Sequence, residues 1–198
     1  MLSINDKIIM NRNSLLSIAN FFCQFFKLFF GVSITLITIF FLHFQFDKNF
    51  YDEWNFEKPG NDSLILIKSE SSIGEKSLID EKQKLSGWNK VSLYFNYLKY
   101  TTILIFLVLS INQFRRVLES VRKLETFHQT NVQAFKKIGN YCLLMGGLSV
   151  FSYLEFGNYA VSSFTIPFNV LFMALIAFIL AEIFKEGNHL MEENELTV

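Results

Sequence analysis

The sequence predicts an all-α integral membrane protein with four transmembrane helices and a polar extracytoplasmic loop between helices 1 and 2. Two observations lead to this prediction: four long runs without a charged residue, and one short segment rich in Arg and Lys. The charge-free runs are residues 28–46, 100–114, 138–154 and 156–181. Amphipathic helices of soluble proteins carry a charged face, whereas a bilayer core of about 30 Å is crossed by about 20 apolar residues. The runs are therefore expected to lie in a membrane.

These runs and the polar segments between them divide the chain. The predicted transmembrane helices are residues 25–46, 93–113, 138–154 and 164–184. The predicted extracytoplasmic loops are residues 47–92 and 155–163. The predicted cytoplasmic parts are an N-terminal segment (1–24), a basic amphipathic segment (114–137) and a C-terminal tail (185–198).

Helix 1 is approached through the sequence FFCQFFKLFF at residues 21–30. At 100° per residue the six Phe side chains cover about half of the helix circumference, and Lys27 marks a depth from which an ammonium group still reaches the headgroups. An aromatic ligand box is the alternative, although such sites need convergent polar groups. No small-residue cleavage site follows, so helix 1 is expected to remain as an uncleaved span.

Helix 2 needs polar residues at its start, because the charge-free residues 100–114 reach only about 22 Å at the helical rise. The helix must include YFNYLK, which places Tyr94, Tyr97 and Tyr100 at the membrane interface. Lys99 is expected to reach outward from the helix, and the alternative is that it faces a polar cavity.

Helices 3 and 4 are marked by small residues and by end signals. Gly139, Gly146 and Gly147 allow close approach between helices. The sequence TNVQ (130–133) fits a capping box that would start helix 3 before the membrane. Pro167 suits the first turn of helix 4, and Gly187 is a suitable terminator. Because the connection between them is short, helices 3 and 4 are expected to form an antiparallel hairpin.

The loop at residues 47–92 contains one predicted strand, SLILIK (63–68), after a turn at PGNDS. Its partner is KVSLYF (90–95), unless those residues begin helix 2. Trp54, Phe56 and Trp88 are expected on the membrane surface, and covering a small ligand is the alternative.

The distribution of Arg and Lys predicts the orientation. Residues 114–138 hold six basic residues and two acidic ones, and residues 155–167 hold no Lys or Arg. Short basic segments stay in the cytoplasm. We therefore expect a multi-pass protein of the cell membrane with both termini cytoplasmic.

The candidate interaction residues lie in the basic segment and near the C-terminus. The basic segment is expected to touch anionic lipid of the bilayer, and docking of a protein is the alternative. The candidates are Arg115, Arg116, Arg122, Lys123, Lys136, Lys137, Glu182, Lys185 and Leu196.

No cofactor, metal or direct nucleic-acid contact is expected. The formal net charge is zero, whereas nucleic-acid binding calls for a basic surface. Cys23 and Cys142 lack ligand spacing and are expected to be apolar fillers without a disulfide. His189 and Glu193 share a helix face, but two ligands do not make a metal site. The sequence contains neither a GxSxG nor an HExxH motif, so we do not expect an enzyme.

Two stretches together resemble a known family. The C-terminal stretch has AEIF (181–184), then Gly187, Leu190, Glu193 and a terminal LTV; the other is TFHQTNVQAFKKIGNY, with Phe127, Asn131, Lys137, Ile138 and Gly139. They resemble the bacterial membrane protein family called domain of unknown function 2975, over about residues 95–198. Tails in that family more often carry Asp where this chain has Glu195.

The resemblance implies a four-helix inner-membrane protein with no established activity. It also implies a gene that neighbours one for a small helix-turn-helix transcription regulator, which would be a partner. We therefore expect a non-enzymatic signalling or regulator-binding protein. The alternative is a small oligomeric transporter or channel component, and a homo-oligomer is one expected assembly. Transporters usually place ionisable groups near the bilayer midplane, whereas Lys27, Lys99 and Glu182 all lie near helix ends.

Overall fold

The computed structural model describes residues 4–56, 65–72, 83–157 and 159–196 of the chain. These residues form four helices: α1 (Ile4–Phe46), α2 (Lys90–Arg122), α3 (Gln129–Val150) and α4 (Phe168–Leu196). They also form five strands: β1 (Asn55–Phe56), β2 (Ile65–Ser72), β3 (Gln83–Lys84), β4 (Phe151–Phe156) and β5 (Tyr159–Thr165). The chain is therefore mostly helical, as predicted, but the strands show that it is not all-α.

The strands β4 and β5 replace part of the predicted helix 3 and the loop after it. Their sequences, FSYLEF and YAVSSFT, are rich in aromatic and β-branched residues, which favour strands. Gly157, between them, has a φ of +52°, a backbone conformation that a tight hairpin turn requires and that glycine adopts readily. A β-hairpin therefore connects α3 to α4, in place of the predicted loop.

The larger sheet has three antiparallel strands in the order β2-β5-β4. The register pairs Ser69 with Ser162 and Ser152 with Ser163. The strand predicted at residues 63–68 is confirmed from Ile65 onward, although its partner is β5. The predicted partner, residues 90–95, begins α2 instead, which was the stated alternative. The predicted turn at residues 59–63 lies outside the described residues.

Three helices are long and apolar enough to cross a membrane, namely the segments Ser14–Phe46, Lys90–Arg122 and Phe168–Glu193. These correspond to predicted helices 1, 2 and 4. Helix α3 is not among them, since it begins with polar residues and its charge-free part ends where β4 begins. That helical part, residues 138–150, spans only about 20 Å at the helical rise.

The C-terminal end of helix α4 differs from the predicted one. Helix α4 continues through Gly187 to Leu196, so the predicted termination at this glycine is wrong. Helix α3 begins at Gln129, before the predicted membrane segment as expected, and the Thr130 N–H donates to His128 Nδ1 (3.3 Å). Helix α2 extends into the predicted amphipathic segment as far as Arg122.

The chain divides into two compact units, which we name by their most distinctive features. The turn unit comprises Met1–Val32, Ile105–Leu144 and Asn169–Val198, and the sheet unit comprises Ser33–Leu104 and Met145–Phe168. The core of the turn unit contains Val117, Ala134, Phe135 and Ala181. The core of the sheet unit contains Phe44, Tyr51 and Leu93.

Candidate functional site

The basic segment comprises the end of α2, a tight turn at residues 123–128 and the start of α3. At the end of α2 the N–H of Leu124 donates to Val121 O (3.2 Å), and the N–H of Glu125 donates to Ser120 O (3.1 Å). This pair of hydrogen bonds is the Schellman arrangement, in which one residue takes the left-handed conformation. Here that residue is Leu124, with a φ of +69°. Glycine usually holds this position, because a Cβ makes the conformation unfavourable.

Two buried polar side chains fix the backbone of this turn. Asn131 Nδ2 donates to Ser120 Oγ (2.8 Å), Glu125 O (3.1 Å) and Thr126 O (2.7 Å). The Ser120 hydroxyl in turn donates to Glu125 O (2.7 Å). The side chain of Asn131 is only 2% exposed. Since buried polar groups that satisfy one another hold a single geometry, the turn is a rigid part of the surface.

The turn is also attached to helix α4 through an aromatic side chain. The Phe127 ring packs against Phe184, with ring centroids 5.6 Å apart, and lies directly over Gly187, where a Cβ would overlap it. Phe127 and Gly187 belong to the two stretches that carry the family resemblance. The structure thus brings those stretches together, and it explains why glycine at position 187 lies inside a helix rather than at its end.

The predicted interaction residues fall into four groups. Arg115 is held by Asn20 Oδ1, which accepts from its Nε (3.0 Å), and lies 3.6 Å from Glu119. Glu182 and Lys185 form an exposed ion pair with an O–N distance of 2.6 Å. The side chain of Leu196 lies outside the described part of the chain.

The remaining five predicted residues are the free cations, a name we keep for this set. All five are exposed, and within the described part of the chain none of them lies in an ion pair. The set is Arg116, Arg122, Lys123, Lys136 and Lys137. The turn therefore combines a fixed backbone with positive charge that is open to an outside partner.

The roles of three residues in and beside this turn were not predicted from the sequence. Ser120 and Asn131 were not singled out as a hydrogen-bonding pair, since they lie 11 positions apart, on opposite sides of the turn. Leu124 lies in the predicted amphipathic segment, but α2 ends before it and the residue is 68% exposed. A Gly or Asn at position 124 would have signalled the turn, and leucine gives no such signal.

A second polar cluster lies in the sheet unit, where α2 covers the outer edge of β4. Asn96 Nδ2 donates to Tyr153 O (2.7 Å), and the Glu155 N–H donates to Ser92 Oγ (3.1 Å). Lys99 Nζ donates to Phe151 O (2.6 Å) and to Ser152 Oγ (2.8 Å). Lys99 is 7% exposed, so the expectation that it reaches outward is wrong, and its partners are a backbone carbonyl and a hydroxyl of the strand.

Backbone hydrogen bonds extend this edge contact ahead of α2. The Asn89 N–H donates to Glu155 O (2.9 Å), and the Gly157 N–H donates to Gly87 O (2.8 Å). On the same strand the Tyr153 hydroxyl donates to the Glu155 carboxylate (2.6 Å). This hydrogen bond is the main reason that the pKa of Tyr153 lies above its ordinary value. These hydrogen bonds attach β4 to α2. The Lys99 side chain bonds to the strand rather than facing a polar cavity.

The aromatic residues of the predicted loop are divided between a core and the surface. The Trp88 ring packs on Phe156 (centroids 5.1 Å apart), and its indole N–H donates to Ser92 Oγ (3.1 Å). Trp54 is exposed and touches Tyr51 with one edge. Trp88 is therefore a core residue rather than a surface one, and the side chain of Phe56 lies outside the described part of the chain.

Other residues considered from sequence form small, separate features. Cys23 and Cys142 are both free thiols and buried. His189 Nδ1 lies 3.4 Å from Glu193 Oε1. Among the residues that the structure describes, no three His, Cys, Asp or Glu side chains come together as a metal site would require.

Comparison with known proteins adds one match. The model of a family described as "Protein of unknown function (DUF2975)" matches residues 91–198, which include the turn, the free cations and all of α4. No curated protein and no solved structure matches this chain. Since the family match covers more than half of the sequence, this chain belongs to that family of unknown function.

Proposed function

We propose that this chain is a non-enzymatic, multi-pass protein of the cell membrane that binds a cytosolic regulatory protein through the turn between α2 and α3. The observation that carries the proposal is the set of free cations on the turn and on the adjoining parts of α2 and α3, where Ser120 and Asn131 fix the turn backbone. Exposed charges that form no ion pair within the described residues, and that lie on a rigid element, favour recognition of a partner with the opposite charge. The partner is a small helix-turn-helix transcription regulator, as the family resemblance implies.

The proposal requires the turn to face the cytosol. Its support is the excess of six basic residues over two acidic ones in residues 114–138, together with three helices able to cross a membrane. Short segments rich in Arg and Lys are retained on the cytoplasmic side. In the same arrangement both termini are cytoplasmic, which requires α3 to cross the membrane as a fourth span beside these three helices.

A transporter or channel component is the alternative function, and buried Lys99 is the residue that would favour it. An ionisable residue that serves a transport pathway faces a cavity or an exchangeable partner. The Lys99 amine instead bonds to Phe151 O and Ser152 Oγ of the adjoining strand. These contacts fit a structural role for Lys99, so the binding function is preferred.

The test uses the whole chain in nanodiscs of neutral lipid and the purified regulator encoded beside its gene. Binding is measured by fluorescence anisotropy for the wild type and for the double variant Arg122→Glu/Lys123→Glu. The matched control is Lys84→Glu/Lys90→Glu, which reverses two exposed lysines of the sheet unit. Charge reversal at an interface weakens binding through both lost attraction and new repulsion.

We expect the Arg122/Lys123 variant to raise the Kd at least tenfold, roughly 1.4 kcal/mol or more of binding free energy. The control variant should bind as the wild type does. The proposal is wrong if the wild type shows no saturable binding of the regulator, or if both double variants weaken binding equally.

A further inference from the structure

Leu124 is the one residue of the turn whose side chain the fold does not explain. Its backbone has a φ of +69°, in the left-handed region that disfavours a residue with a Cβ. Its side chain is 68% exposed, so little packing offsets that conformation. A glycine would satisfy the same two hydrogen bonds of the helix end with less strain. When a strained residue is retained at the surface, function is the hypothesis to test.

The surroundings of Leu124 limit where its side chain can go. The residue is held from both sides, since its own N–H donates to Val121 O and the next carbonyl, Glu125 O, accepts from Ser120 and Asn131. Arg122 and Lys123 precede it and are exposed. The turn therefore presents the Leu124 side chain, at a fixed place on the backbone, between two cations and the exposed Glu125. Its other exposed apolar side chain, Phe127, packs against α4.

We propose that Leu124 is the apolar anchor with which this turn enters a pocket on a partner protein, and that the pocket is lined by apolar groups and bordered by acidic side chains. The acidic border follows from charge complementarity with Arg122 and Lys123. A single buried anchor surrounded by polar contacts is the usual distribution of binding energy at protein interfaces. The inference rests on the proposed function and names the residue that recognises the regulator.

A protein pocket explains the fixed backbone better than a lipid surface does. Insertion of a leucine into acyl chains is non-directional, because it depends only on the apolar area removed from water. A pocket accepts a side chain from one direction, so a preorganised backbone lowers the cost of binding. The backbone conformation at Leu124 and the hydrogen bonds of Ser120 and Asn131 give this turn such a preorganised backbone.

The experiment measures regulator binding by the chain in neutral nanodiscs with Leu124→Gly and Leu124→Ala. Leu124→Gly removes the side chain and relieves the strained backbone, so loss of binding by this variant does not come from a weakened turn. The matched control is Leu98→Ala, because Leu98 is a leucine of equal exposure (68%) in the sheet unit. Thermal unfolding of each variant is recorded alongside.

We expect both Leu124 variants to raise the Kd at least tenfold, while Leu98→Ala leaves it unchanged. Leu124→Gly should unfold at the same temperature as the wild type or at a higher one. Wild-type affinity in Leu124→Gly would overturn the anchor, and if Arg122→Glu/Lys123→Glu still weakens binding, the proposed function stands without it. If the wild type does not bind the regulator, the proposed function and the anchor both fail.

A final arm distinguishes lipid from protein. Leu124→Cys is introduced in a background with Cys23→Ala and Cys142→Ala, and it is labelled with an apolar, environment-sensitive fluorophore that takes the place of the leucine side chain. We expect its emission to shift to shorter wavelength when the regulator is added in neutral nanodiscs. A shift of that kind produced by phosphatidylglycerol nanodiscs alone, without the regulator, would assign the side chain to the membrane and overturn the proposal.

Discussion

Two glycines of helix α3 differ in how closely another side chain approaches them. A Cβ built at Gly139 would lie 2.7 Å from the Phe178 ring, which is shorter than side-chain contacts normally allow, whereas a Cβ at Gly147 would meet nothing within 4 Å. The two positions lie on the same helix and differ only in what faces them. They therefore separate the effect of packing from the effect of helix propensity.

We predict that Gly139→Ala destabilises the protein and that Gly147→Ala stabilises it. Overpacking at Gly139 should cost about 2 kcal/mol, against about 1 kcal/mol gained from alanine in a helix. Gly147→Ala should show only that gain. Chemical unfolding in detergent micelles measures both changes, and equal effects of the two substitutions would refute the packing of Phe178 on Gly139.

Single-residue roles were only partly predictable from sequence. Small residues in helix 3 indicated close approach, and Gly139 confirms it through Phe178. Gly187 was predicted to end a helix because glycine commonly does so, but tertiary packing of Phe127 gives it another role. The identity of the ring over each glycine depends on residues about 40 to 60 positions away in sequence, which no local pattern contains.

Among the secondary-structure elements, the turn between α2 and α3 depends on one amide. We predict that Asn131→Ala loosens it, because Glu125 O and Thr126 O both lose that donor. The expected loss is about 2 kcal/mol of stability. Hydrogen exchange at the amides of Leu124 and Glu125 should accelerate. Gln133→Ala, at an exposed position of α3, is the control. Similar exchange in both variants would rule out that the Asn131 hydrogen bonds hold the turn.

The contact between α2 and the edge of β4 makes a second prediction at this scale. Asn96→Leu removes the 2.7 Å donor to Tyr153 O, which then accepts from the Ser92 hydroxyl (3.2 Å), and we expect a loss of about 1 kcal/mol. Amide exchange at Glu155, which donates to Ser92, should accelerate as the strand edge loosens. The exposed Asn140→Leu serves as the control. Unchanged exchange in Asn96→Leu would contradict the assignment of this edge contact.

Elements with a continuous apolar run were predictable, and elements defined by distant pairing were not. Runs of apolar residues identified α1, α2 and α4, because crossing a membrane requires length and composition alone. Strand β2 pairs with β5, and the two are separated by α2, α3 and β4 in sequence. A charge-free run is compatible with a helix and with a strand. The end of α3 at Val150 therefore could not be predicted within the run of residues 138–154.

For the whole molecule, the central claim is that the helices cross the membrane and that the turn with the free cations faces the cytosol. Apolar length supports the first part, and the distribution of basic residues supports the second. The proposed function and the Leu124 anchor both depend on this orientation. A regulator in the cytosol reaches the turn only if the turn lies on that side.

The most direct test is labelling of single cysteines in intact cells by a thiol reagent that cannot cross membranes. One cysteine replaces Gln129, next to the turn, and another replaces Glu53, an exposed residue between α1 and α2, each in a background with Cys23→Ala and Cys142→Ala. We predict that the cysteine at 53 is labelled in intact cells and that the one at 129 is labelled only after the membrane is permeabilised. Labelling at 129 in intact cells, or recovery of the protein in the soluble fraction, would contradict the account.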